Sequence, residues 1–147
     1  MRMTSFTDYS LRTLMYLASL PEGQLSSVKE VSQLYGISQN NMTKVVHKLA
    51  QHGYIQTLRG KGGGIRLAMS PDTIRIGTIV TLFEKTMDGV DCLSSGCVLQ
   101  PACKLKLAII KAMDNFICTL NEFTLADMVV NKQEISYLLQ LETAETE

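Results

Sequence analysis

Four glycines and two cations crowd into Arg59-Gly60-Lys61-Gly62-Gly63-Gly64, and the residues on either side read as strands. Tyr54-Ile55-Gln56-Thr57-Leu58 leads in and Ile65-Arg66-Leu67-Ala68 returns antiparallel, which makes the glycine run a hairpin tip. A tip with so few side chains lets the backbone approach a phosphate closely, while Arg59, Lys61 and Arg66 supply charge. It is not a nucleotide loop. G-x-G-x-x-G would need glycine where Ile65 stands, and no G-x-x-x-x-G-K-[ST] occurs.

Three helices are expected ahead of the hairpin. Thr7 or Asp8 can cap the first, which runs to about Leu20 with Leu11, Leu14, Met15, Leu17 and Ala18 at three- and four-residue steps. Pro21-Glu22-Gly23 ends it. Ser27 and Glu30 form a capping-box pattern before a short second helix with Val28, Val31 and Leu34 inward. Gly36 stops that helix, and Ser38 is placed to cap a third that lasts to Gly53. Met42, Val45, Val46 and Leu49 make its buried stripe and leave Gln39, Asn40, Thr43, Lys44, His47 and Lys48 outside.

Such a helix pair alone suits a small core with a solvated polar face as well as it suits a helix-turn-helix. The hairpin behind it favours a winged helix-turn-helix with residues 38–52 as recognition helix. Asn and Gln can bond adenine in bidentate fashion, and Lys reaches guanine or phosphate. The candidate contacts to double-stranded DNA are Ser38, Gln39, Asn40, Thr43, Lys44, His47, Lys48, Arg59, Lys61 and Arg66.

Charge is distributed in the same sense. Over the 147 residues, 14 Lys+Arg balance 14 Asp+Glu, yet residues 1–75 carry nine cations against four acids (+5) and residues 76–147 five against ten (−5). A random partition produces such a split fairly often, so it supports a polyanion-binding first half without establishing one. A chain of this length buries enough surface for one core without disulfides. No signal-peptide core and no apolar run of membrane-spanning length is visible, so the expectation is a cytoplasmic protein with no membrane association and free thiols.

Beyond Ser70-Pro71 a helix from Ile76 to Lys85 should pack on the winged domain, and residues 86–100 read as a loop. Pro101 fits the first position of a long helix to about Phe123 with Leu105, Ala108, Ile109, Ala112, Met113, Phe116, Ile117 and Leu120 apolar. So long a stripe exceeds what this small domain can cover, which points to the same helix of a second copy; packing within the chain is the alternative. Thr124 with Asp127 caps a final short helix, and the acidic tail Glu142–Glu147 is expected to fray. The mainly α architecture thus divides into a winged helix-turn-helix domain (1–85), a loop that carries the cysteines (86–103), a dimerisation helix with a short C-terminal helix (101–130) and a tail (131–147).

Cys92, Cys97 and Cys103 form C-x(4)-C-x(5)-C at the foot of the long helix, where the positive end of the helix favours an anionic sulfur. Soft thiolates select zinc, copper(I) or iron–sulfur clusters. Three are one short of an all-cysteine tetrahedral site. Cys118 lies fifteen residues past Cys103, some 22 Å along a helix at about 1.5 Å per residue, so it cannot join them and reads as a small buried residue. The fourth ligand must be an oxygen donor, a small molecule or a residue of a partner chain. A cluster with one iron open to a reactive small ligand and a structural zinc fit the spacing equally. No Cys-x-x-Cys, serine elbow or histidine beside a nucleophile suggests an enzyme.

Ser5-Phe6-Thr7-Asp8-Tyr9, the helix end Leu17-Ala18-Ser19-Leu20-Pro21, the wing Arg59–Leu67 and the three cysteines followed by Lys104-Leu105 resemble the Rrf-type winged-helix regulators, especially the NsrR-like nitric-oxide-sensitive repressors. The resemblance covers residues 1 to about 130. It implies a homodimer with wing and recognition helix on operator DNA, and an iron–sulfur cluster held by Cys92, Cys97 and Cys103, which makes 86–103 the candidate cluster-binding loop. In the related IscR-type regulators a histidine ligand stands three residues after the third cysteine. Here that position is Lys106, which argues for a 4Fe-4S rather than a two-iron cluster. In some NsrR-like proteins an aspartate of the other subunit's first helix completes the cluster, and Asp8 holds the matching place, although it is equally suited to cap that helix. The resemblance implies derepression of nitric-oxide detoxification genes. An iron–sulfur or redox regulator of another regulon, or a zinc-stabilised interaction module, are the alternatives.

Overall fold

The computed structural model describes residues 2–139, so the acidic tail lies outside the described residues. Helix α1 (Ser5–Ser19) begins earlier than its sequence suggests, because Thr4, rather than Thr7 or Asp8, caps it by accepting the Thr7 N–H. Thr4 is held in turn by Glu84, whose carboxylate accepts its N–H at 2.7 Å and its hydroxyl at 3.1 Å. That partner is 80 positions away, beyond the reach of any local pattern. Asp8 therefore sits inside the helix, paired with Arg12 at 2.9 Å.

α1 is buried on more sides than its apolar stripe indicates, since Thr7, Ser10, Thr13 and Ser19 are buried as well. Three of these hydroxyls donate to the carbonyl one turn back, Ser10 to Phe6 at 2.8 Å, Thr13 to Tyr9 at 2.7 Å and Ser19 to Met15 at 2.8 Å. Each polar group thus enters the core with its hydrogen bond already made.

Helix α2 (Val28–Tyr35) opens with the expected Ser27–Glu30 capping box, and α3 (Gln39–Gln51) with the expected Ser38 cap. Met42, Val45, Val46 and Leu49 of α3 are buried against α1. Burying side chains of this size is worth about 1.5–3 kcal/mol each, enough to fix the helix pair on the core. Strands β1 (Ile55–Leu58) and β2 (Gly64–Leu67) pair antiparallel from Ile55 opposite Leu67 to Leu58 opposite Gly64. The sequence gives no hint of a further pairing. Ser26, just before α2, exchanges both backbone hydrogen bonds with Ile65 at 3.0 and 2.8 Å, tying the hairpin to the helix-turn-helix.

A 3-10 turn (Pro71–Thr73) leads to α4 (Ile76–Phe83), which stops short of Lys85. The long helix is also shorter than expected. Pro101 lies in a 3-10 turn (Gln100–Ala102), extended backbone at Cys103 breaks the path, and α5 runs Lys104–Leu120 with Cys103 as its N-cap. α6 (Leu125–Met128) carries the expected Thr124–Asp127 capping box. Its Leu125 and Val129 are buried in the winged domain's core, so α6 belongs to that core although it follows the long helix. A further helix, α7 (Lys132–Leu138), occupies the start of the stretch read as tail.

The end of α5 is pinned to the winged domain by backbone bonds from Ile76 to Phe123 (3.1 Å) and from Leu125 to Ile74 (2.8 Å). Its opening half is only partly covered, with Gly89 of the preceding loop lying against Ile109. No residue of α5 is fully buried, and Leu105 and Leu107 are 68% and 67% exposed. Among the described residues no helix is long and apolar enough to cross a membrane.

Candidate functional site

From Val31 to Pro71 the chain contains no Asp or Glu and five Lys or Arg: Lys44, Lys48, Arg59, Lys61 and Arg66. All five are exposed, as are Ser38, Gln39, Asn40, Thr43 and His47, so the fold leaves the whole candidate set accessible on α3 and the hairpin. Their side chains are not equally free. The Ser38 hydroxyl accepts the Asn41 N–H at 3.2 Å, and Thr43 donates to the Gln39 carbonyl at 2.8 Å. Gln39, Asn40, Lys44, His47 and Lys48 keep their polar ends for a ligand.

On the hairpin, Arg66 Nε donates to Gln56 Oε1 at 3.0 Å from the opposite strand, which steadies the guanidinium while leaving its terminal nitrogens free. Gln56 was not a sequence candidate, because its role appears only once the strand register places it across from Arg66. Asn41, outside the candidate set, is exposed in the first turn of α3 beside Asn40.

Tyr35 fixes the helix pair to α1: its hydroxyl donates to the Arg12 carbonyl at 3.1 Å, and the Arg12 guanidinium lies 5.9 Å from its ring centre. Burial pushes the phenol up to about 12, against the opposing pull of Arg12. A rigid helix with amides and cations outward, flanked by a cationic hairpin, has the parts needed to read base edges in a major groove and to neutralise neighbouring phosphates.

The cysteine loop is organised by its backbone. Asp91 accepts the Ser94 N–H at 3.0 Å and also the Ser94 hydroxyl, and these bonds hold its carboxyl below the usual range. The Cys97 N–H donates to the Cys92 carbonyl at 3.4 Å and the Gly96 N–H to Leu93 at 3.3 Å, with Gly96 at φ 60°. Gln100 donates back to Cys97 at 3.2 Å and opens the 3-10 turn that delivers Cys103. The Cys103 sulfur then caps α5 by accepting the Lys106 N–H at 3.4 Å.

All three thiols are free and half-buried, while Cys118 is free and exposed, not a buried filler. As donors they suit a soft metal centre, and the N–H held at Cys103 suits an anionic sulfur. The side chains are not gathered. Among the described residues no three His, Cys, Asp or Glu are placed to hold one metal ion, and Asp8 is engaged by Arg12. A cleft of about 790 Å³ opens between Glu84, Met87 and α5 residues Met113 and Phe116, while Gly89 lies close against Ile109 of α5.

The model of the Rrf2 family, described as iron-dependent transcriptional regulator, matches residues 3–131. Similar solved structures include CymR of B. subtilis, described as its global cysteine regulator, with a TM-score of 0.70 and 23% identity over 89% of this chain and 98% of that one. IscR of T. potens gives a TM-score of 0.68 and 22% identity over 98% and 94%. The oxidised form of CymR from Staphylococcus aureus gives 0.70 and 23% over 87% and 95%. At these identities the likeness shows the shared winged-helix fold.

Proposed function

The chain belongs to the Rrf2 family of DNA-binding transcriptional regulators, which are not enzymes, and on that premise we propose a homodimeric repressor whose iron–sulfur cluster senses nitric oxide. The cluster is of the 4Fe-4S kind, held by Cys92, Cys97 and Cys103, with Asp8 of the other subunit as the candidate fourth ligand. The reading places the protein in the cytoplasm and its targets among nitric-oxide detoxification genes. The observation that supports it is the run of backbone bonds from Cys92 through Cys97 and Gln100 to the Cys103 cap, which sets three free thiols along one short hydrogen-bonded segment at the start of α5.

Such a cluster supplies iron with an exchangeable position open to a diatomic ligand. The chain's own residues do the rest. Cys92, Cys97 and Cys103 would hold the cluster, and bound there it would tie the loop to the first turn of α5. The only partly covered opening half of α5 supports pairing with a second copy. Loss of that tie would alter how the two winged domains of a dimer are spaced. A two-fold protein reads half-sites about 34 Å apart, and each base pair lost costs about 1–3 kcal/mol, so a modest change of spacing empties the operator.

The test uses an operator selected from random duplexes with anaerobically purified full-length protein. Binding should vanish on addition of nitric oxide, and Cys92→Ala, Cys97→Ala and Cys103→Ala should each abolish binding. Nitric-oxide-insensitive binding, or a cysteine variant that binds as well as the parent, would overturn the proposal.

A further inference from the structure

The first two cysteines occupy a turn whose geometry brings side chains together. Cys97 N–H to Cys92 carbonyl spans six residues, Gly96 N–H to Leu93 carbonyl nests within it, and Gly96 is left-handed at φ 60°. This pair of bonds around a left-handed glycine is the Schellman turn, in which the residues at the two ends of the outer bond pack against each other. The same chain builds it elsewhere: Tyr54 donates to Leu49 and Gly53 to Ala50, with Gly53 at φ 78°, and there the two end positions are the apolar pair Leu49 and Tyr54. At 92–97 the corresponding pair is two thiols, both free and half-buried. The x(4) spacing is the one this turn requires.

We infer that Cys92 and Cys97 form a reversible intrachain disulfide when the chain is free of metal and meets a hydroperoxide. Such a turn commonly sets its two end side chains in contact, and a disulfide needs their Cα atoms about 4.4–6.8 Å apart. One thiolate attacks the peroxide, breaking the O–O bond to give a sulfenic acid and one water or alcohol. The second thiol attacks that sulfur, the S–S bond forms, and the sulfenic oxygen leaves as water. Two thiols are oxidised by two electrons and one peroxide is reduced. Cys103 takes no part, because it lies outside the 92–97 turn, beyond the 3-10 turn Gln100–Ala102 and at the start of α5. The inference does not depend on a cluster. It adds a second state of the same loop, one that withdraws two thiols from any metal until a dithiol reductant returns them.

The experiment treats reduced, full-length protein in chelator with hydrogen peroxide at one equivalent, alkylates it, and weighs the tryptic peptide 86–104. That peptide should become lighter by two hydrogens and resist alkylation at two sites, reversibly with dithiothreitol. Cys103→Ser should keep the loss, while Cys92→Ser and Cys97→Ser should abolish it. Gly96→Ala, which puts a side chain on the left-handed residue of an exposed turn, should slow formation on the order of tenfold. Pairing that requires Cys103, linkage between chains through Cys118, oxidation without an S–S bond, or a rate unaffected by Gly96→Ala would overturn the inference.

Discussion

No side chain fits between Gly77 of α4 and Asn121 at the end of α5: a Cβ at 77 would stand 2.6 Å from the Asn121 carboxamide carbon and 2.7 Å from the Ile117 carbonyl oxygen. Replacing glycine by alanine inside a helix ordinarily gains about 0.5–1 kcal/mol. Here the sign reverses. Gly77→Ala should lower stability by about 1–3 kcal/mol, because backbone has to move. The double variant with Asn121→Ala should recover only part of the loss, since the Ile117 carbonyl remains. Thermal unfolding by circular dichroism checks this, and a Gly77→Ala chain as stable as the parent would contradict the close contact.

The acid-free stretch from Val31 to Pro71 predicts two separable effects on operator binding. Lys44→Ala or Lys61→Ala should weaken binding to all sequences and reduce the salt slope by about one if each meets a phosphate. Asn40→Ala should instead cost about 1–3 kcal/mol on the preferred operator with the salt slope unchanged. Fluorescence anisotropy over a salt series distinguishes the two.

Glu84 predicts an acid-side loss of stability. Burial pushes its carboxyl up, but bonds from Thr7 and Thr4 outweigh burial and leave it below its ordinary value of 4.5. With the folded value depressed, its contribution is present above pH 4.5 and is lost as pH falls through the lower folded value. Glu84→Gln should flatten the fall of melting temperature below pH 4.5 without abolishing it, because Asp127, held down by Thr124, titrates in the same sense. An unchanged acid limb would remove Glu84 from the account.

The opening half of α5 predicts association. Leu107→Glu should convert a dimer to monomer in sedimentation while leaving the melting temperature of dilute protein nearly unchanged, since Leu107 is 67% exposed within one chain. A parent chain that sediments as a monomer would contradict the dimer.

What could be read from the sequence was mostly local. The Ser27–Glu30 and Thr124–Asp127 boxes, the Ser38 cap and the hairpin depend on residues three or four apart or on turn chemistry, and they formed as expected. What was hidden depends on tertiary partners: the Thr4 cap needs Glu84, and the Ser26 bridge needs Ile65. Buried threonines and serines on α1 broke the apolar pattern, because their hydroxyls are satisfied by their own helix. At the site, the spacing singled out the three cysteines. The turn that pairs two of them and the cap that holds the third apart became visible only through backbone bonds.

The central claim is best tested by iron and acid-labile sulfide per chain, with an absorbance spectrum, on protein purified without oxygen and then given stoichiometric nitric oxide. The protein should be coloured with about four of each per chain, its spectrum should change with the gas, and Cys92→Ala, Cys97→Ala and Cys103→Ala should be colourless. Colourless protein without iron, or one carrying zinc alone, would contradict it.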